Sequence, residues 1–131
     1  MTERPFPVPD RDTAPFWEGA RAGELRIQRC ADCGRHVFYP RALCPHCLSE
    51  RLEWVRASGR GTVYSFTVVH RTSEDFSAEV PFPVGLVVLD EGVRMMARLD
   101  IGEPAIGMAV QVVFERVDDE LSLPHFKEVE A

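Results

Sequence analysis

Two Cys-x-x-Cys pairs, Cys30-Ala31-Asp32-Cys33 and Cys44-Pro45-His46-Cys47, constrain this chain more than any other feature. Tetrahedral zinc takes four thiolates at about 2.3 Å, and the tight turn inside each pair supplies two of them at once. Ten residues separate the pairs, enough to return the chain, so the spacing predicts a zinc ribbon closed by Cys30, Cys33, Cys44 and Cys47. No fifth cysteine is left over. Four thiolates leave no open coordination position, which makes such a zinc structural rather than catalytic. Gly34 follows the first pair, where a residue without Cβ takes positive φ. Leu48 holds the equivalent place after the second pair, so that knuckle must turn differently or carry strain. A disulfide framework and a dithiol redox motif are the alternatives. The N-terminus lacks the basic and apolar regions of a signal peptide, and a cytoplasmic chain keeps its thiols reduced, which favours metal. His36 and His46 are expected as exposed loop residues beside the four thiols.

At 131 residues the chain makes one domain or two very small ones, and no run of eighteen apolar residues suggests a membrane span. A soluble, cytoplasmic protein is the expectation. The charge is uneven: residues 1–71 hold eleven arginines against eight acids, whereas residues 72–131 hold four bases against thirteen acids. Nucleic-acid affinity rests on neutralising several phosphates, so a ribbon half at +3 and a remainder at −9 weigh against that use.

Pro5, Pro7 and Pro9 forbid regular helix over the first residues and predict an extended arm over 1–12. Thr13 can cap a short helix that tolerates Pro15 in its first turn and ends at Gly23. Phe16, Trp17 and Ala20 give it one apolar face, which either packs on its own domain or, exposed, anchors a partner. Strands are predicted from Leu25 to Cys30, over His36–Tyr39 and over 51–57, completing a helix-plus-ribbon unit over 13–58. Gly59 and Gly61 mark the junction.

Beyond it the pattern is all β. Residues 62–70 place Tyr64, Phe66 and Val68 on one face and Val63, Thr67 and Val69 on the other. Residues 82–89 and 93–99 flank the turn Asp90-Glu91-Gly92, and strands at 109–117 and 121–126 follow. Five strands in so short a span suit a closed barrel of the oligonucleotide/oligosaccharide-binding (OB) type over 59–131. The predicted class is therefore mainly β: a short N-terminal helix, a rubredoxin-like zinc ribbon and a five-stranded OB barrel. A polar loop at 71–81, with Glu74, Asp75, Phe76 and Glu79, interrupts the barrel and is expected to be functional or mobile.

The order Ala14-Pro15-Phe16-Trp17-Glu18, Gln28-Arg29-Cys30-Ala31-Asp32-Cys33-Gly34, Tyr39-Pro40-Arg41, Cys44-Pro45-His46-Cys47, Gly61-Thr62-Val63-Tyr64-Ser65-Phe66 and Leu89-Asp90-Glu91-Gly92 resembles a known family. It is the zinc-ribbon plus OB-fold family of acyl-CoA-associated proteins, formerly catalogued as a domain of unknown function. The resemblance runs from residue 13 through nearly the whole chain. Asp100-Ile101-Gly102-Glu103-Pro104 departs from it by being shorter than the family's usual connection. What the resemblance implies is a zinc-containing accessory subunit of thiolase-like enzymes, acting in acyl transfer, condensation or retro-aldol steps on CoA thioesters, steroid and other lipid substrates among them.

As an enzyme alone the chain is poorly equipped, because a nucleophile needs a base in reach and a third group to orient that base. No catalytic residue is assigned. His70, near Ser65 and Asp75 in sequence, is the one histidine worth following. Gly59-Arg60-Gly61 is too short for a phosphate loop. CoA needs cations for its phosphates, for which Arg35, Arg41 and Arg60 are candidates, and an apolar trough for its pantetheine arm, for which Phe38, Tyr39 and Trp54 are. Phe16 and Trp17 are the candidate partner contacts. A non-catalytic acyl-CoA-binding subunit is the leading expectation; a nucleic-acid-binding ribbon and OB module, with strand aromatics stacking bases, is the alternative.

Overall fold

The computed structural model describes residues 6–129. Of the arm expected over 1–12, residues 1–5 lie outside the described residues, and 6–10 form neither helix nor strand. The helix α1 spans Ala14–Arg21 with Pro15 in its first turn. Thr13 stands at the cap position, yet its hydroxyl does not accept from the helix. It donates to Asp10 Oδ1 at 2.9 Å, and Asp10 Oδ1 also accepts the Thr13 N–H at 2.9 Å. The first turn is thus held from Asp10, whose carboxyl the Thr13 N–H draws below its usual range. At the other end Gly23, at φ 80°, donates to Ala20 O while the Glu24 N–H reaches back to Gly19 O at 2.8 Å, the paired bonds of a Schellman stop.

Three antiparallel strands make the ribbon sheet: β1 (Arg26–Cys30) lies between β2 (His36–Val37) and β3 (Leu52–Arg56). Five more, β4 (Arg60–Val69), β5 (Phe82–Leu89), β6 (Arg94–Leu99), β7 (Ala109–Arg116) and β8 (Ser122–Glu128), close a barrel in the order β4-β5-β6-β8-β7. All its pairings are antiparallel except β6 with β8, a short parallel seam of Arg98 with His125 and Leu99 with Phe126. Within β4 the register shifts between Val63 and Ser65. This bulge breaks the strict alternation expected there: Val63 is in the core, whereas Thr67, expected on the same face, is exposed.

One apolar core runs through both sheets. Phe16 of α1, Leu25 and Ile27 pack with barrel residues Val63, Val87, Leu99, Val110 and Phe126. The metal end has its own small cluster, in which Cys30, Val37 and Cys44 are buried against Leu52. The inner half of the ribbon is therefore held by the barrel, and the outer half depends on the metal. Among the described residues no helix is long and apolar enough to cross a membrane.

Candidate metal centre and ligand clefts

The two knuckles repeat one backbone plan. In the first, the Gly34 N–H donates to Cys30 O and the Cys30 N–H to Arg35 O; in the second, the Leu48 N–H donates to Cys44 O and the Cys44 N–H to Ser49 O, each at 2.9 Å. Cys30 and Cys44 are buried, and Cys33 and Cys47 are exposed. The four sulfurs lie within 4.8 Å of one another, with Cys30–Cys47 at 3.5 Å and Cys33–Cys44 at 3.7 Å. Thiolates on a tetrahedral zinc stand about 3.8 Å apart, given zinc–sulfur bonds of about 2.3 Å, so the set fits that ion. Disulfide sulfurs would be about 2.05 Å apart, and all four cysteines are free. The Cys33 N–H, donating to Cys30 Sγ at 3.5 Å, draws that thiol down, while the Cys30 sulfur holds Cys47 up, so the pair shares a proton that a bound metal would displace. Asp32 in the first knuckle accepts from the Ser49 hydroxyl and, at 2.9 Å, from Arg51, clasping the two knuckles together.

Buried Gln28 fixes the segment that crosses β1. Its side-chain amide donates to Arg41 O and accepts the Arg41 N–H, both at 2.9 Å, as an extra rung of the sheet. Arg41 is thereby held beside His36, Phe38, His46 and Arg94 in a groove of about 380 Å³ at the seam between ribbon and barrel. Arg35 lines the adjoining end with His46, Glu91 and Gly92, and its NH1 lies 3.2 Å from His46 Nδ1. His36 and His46 stand in this groove, not among the metal ligands.

Phe38 borders both this groove and a second cleft of about 480 Å³, walled by Phe16, Trp17, Tyr39 and Met95 and floored by Glu115 and His125. Phe16 is 3% exposed and packs on its own domain; Trp17 shows more surface, edge-on to Phe16 at 4.9 Å between ring centres. The structure thus brings Arg41 into a groove that Phe38 also lines, with Arg35 in the adjoining space, and Tyr39 and Trp17 into the cleft on the other side of Phe38. Arg60 is exposed at the start of β4 and lines neither space, and Trp54 is partly buried against the core.

His70 is exposed at the end of β4. The histidine that the chain builds around is His125, 8% exposed on β8. Its Nδ1 lies 3.0 Å from Asp100 Oδ1 and its Nε2 3.0 Å from Glu115 Oε2, so both ring nitrogens are engaged. Arg98, its neighbour across the parallel seam, lies 3.9 Å over the Phe82 ring and bonds Glu79 of the 70–81 loop at 2.7 Å.

Residues 17–53 match the family profile described as the ChsH2 rubredoxin-like zinc ribbon domain, and residues 54–115 match the ChsH2 C-terminal OB-fold domain. The chain is similar to the 3-oxo-4,17-pregnadiene-20-carboxyl-CoA hydratase alpha subunit of Mycobacterium tuberculosis, at 46% identity over 112 residues. The match covers 82% of this chain but only 35% of that protein's length. It is also similar to the benzoylsuccinyl-CoA thiolase subunit BbsA of Thauera aromatica, at 34% identity over 119 residues, covering 88% of this chain and 71% of BbsA. Among solved structures, a chain of the Ltp2-ChsH2(DUF35) aldolase superposes with a TM-score of 0.83 at 39% identity, covering 94% of this chain and 98% of that one.

Proposed function

Because the chain belongs to the ChsH2 (DUF35) family of zinc-ribbon plus OB-fold proteins, we propose that it is a non-catalytic subunit of an acyl-CoA-processing enzyme. It assembles with a thiolase-fold or related partner and holds part of that partner's CoA thioester. The observation that carries this reading is the position of Phe38 between the cationic groove of Arg41 and Arg94, which Arg35 adjoins, and the aromatic cleft of Tyr39 and Trp17. Phosphates need the first and a pantetheine arm the second, and the two meet at one side chain. The relatives point the same way: a hydratase subunit, a thiolase subunit and an aldolase complex all carry this unit.

Zinc, held by Cys30, Cys33, Cys44 and Cys47, supplies structure here. The chain's own residues bind and orient: Gln28 sets Arg41, and the ribbon–barrel core sets Phe38. Chemistry is left to the partner, since His125 commits both ring nitrogens to carboxylates. A cytoplasmic setting suits four unbridged thiols.

Titration of the chain with CoA and with dephospho-CoA tests the reading. Saturable binding that weakens without the 3′-phosphate, and weakens again in Arg41→Ala, is expected. No saturable binding of any CoA species, together with tight and steeply salt-dependent binding of single-stranded nucleic acid, would overturn it.

A further inference from the structure

Phe76, Met96 and Arg98 of the aromatic cleft also line a second apolar space, of about 690 Å³, between β4, β5 and the 70–81 loop. Phe66, Val84 and Leu86 line that space, and Phe76 and Met96 line both. Met96 is 67% exposed and shares the outer face with Leu86, which it pairs, and Val84; contiguous apolar surface of this kind marks ligand or partner sites.

Polar groups gather where the two spaces meet. Arg98 lines both, with Glu115 and His125 beside it on the side of the first cleft. The Arg98 guanidinium is fixed by the Phe82 ring beneath it and by Glu79. One of its five N–H donors is used in that ion pair, which leaves donors for a ligand oxygen. The layout is apolar lobe, cationic waist, apolar lobe. An acyl thioester has the same layout, with a carbonyl between two arms. Apart from Arg98 at the waist, the polar side chains along the second lobe are the hydroxyls of Ser65, Thr67 and Thr72, so the rest of the lobe suits a chain without charge.

Resting on the reading of the chain as a CoA-thioester-binding subunit, we infer that the two spaces form one acyl-thioester trough. The first lobe takes the pantetheine arm, Arg98 meets the thioester carbonyl, and the lobe under the 70–81 loop receives an extended apolar acyl group. Glu79 ties the loop to the residue that reads the carbonyl, so the loop is the roof of the acyl lobe.

Calorimetric titration of the whole chain with CoA and with acetyl-, hexanoyl- and decanoyl-CoA tests this. Affinity should rise along the ester series, with decanoyl-CoA at least about tenfold tighter than acetyl-CoA as methylenes leave water. Thr67→Trp, at an exposed strand position that accepts an aromatic, should fill the second lobe. Decanoyl-CoA should then bind no better than acetyl-CoA, with acetyl-CoA itself unchanged. Arg98→Gln should weaken acetyl-CoA several-fold more than free CoA, which has no carbonyl at that point. If all three esters bind alike, or Thr67→Trp spares the decanoyl advantage, the trough is refuted while the CoA reading stands. If neither CoA nor any ester binds, both fall together.

Discussion

Leu48 and Gly34 hold the same post in the two knuckles. Each N–H donates at 2.9 Å to the carbonyl of the first cysteine of its pair, and each residue has positive φ, 64° and 79°. Glycine takes that conformation freely; leucine pays about 1–2 kcal/mol for it. Leu48 is 74% exposed and packs little in return. Leu48→Gly should therefore stabilise the ribbon, by about 0.5–1 kcal/mol once the greater chain entropy of glycine is offset. Chelator-challenge or thermal unfolding would show it; a destabilised Leu48→Gly would mean the leucine side chain has a contact that outweighs the strain.

Zinc should be present at one equivalent, and its loss should open the outer ribbon while sparing the barrel. Cys33→Ser should lose zinc by elemental analysis and lose hydrogen-exchange protection between the knuckles. Leu25 and Ile27 share the barrel core, so protection of β1's first residues should persist. Loss of barrel protection in the same variant would contradict this division of the molecule.

Acid should release the metal. The Cys33 N–H draws Cys30 down while the Cys30 sulfur beside it holds Cys47 up, so without metal the set keeps a proton that zinc must displace. Only the thiolate is a ligand, so binding is favoured as pH rises and is lost as acid protonates the sulfurs. A colorimetric zinc assay across the acid range should find retention at neutral pH and progressive loss as pH falls. Release that begins in alkaline solution would contradict it.

The barrel was legible because its strands alternate and its hairpin turn is Asp90-Glu91-Gly92, a local signal. The metal centre was legible because each knuckle is set by neighbours in sequence. What lay hidden is non-local. Asp100, Glu115 and His125 meet only because β8, itself predicted as a strand, closes between β6 and β7, a pairing that no local pattern announces. Gln28 reads as an ordinary alternating strand residue until Arg41 is brought across it. Arg98 likewise carries no motif. Its place between two clefts comes from the parallel seam and the loop that Glu79 ties down.

His125→Ala should cost about 2 kcal/mol, since it removes a buried ring and with it the contacts of its two nitrogens to Asp100 and Glu115. Denaturant unfolding measures it; equal stability of His125→Ala and the parent would show that the seam is held by backbone pairing alone.

Gln28→Leu should weaken CoA binding through Arg41 without touching a ligand. It leaves the Arg41 N–H and C=O without their side-chain partners, at about 1–3 kcal/mol of stability. Arg41→Ala should weaken CoA as much and cost little stability, because the arginine is exposed. If Gln28→Leu binds CoA as the parent does, the rung does not position the cation.

The central claim is tested most directly by turnover of the assembled complex. The tagged chain should be isolated from its native host with its partner, the partner identified by mass spectrometry, and CoA-thioester turnover measured for the chain, the partner and the two together. The account predicts a thiolase-fold or related acyl-CoA enzyme, no turnover by the chain alone, and a complex that exceeds the partner alone. Turnover by the isolated chain, or a partner whose activity is the same with and without it, would contradict the account.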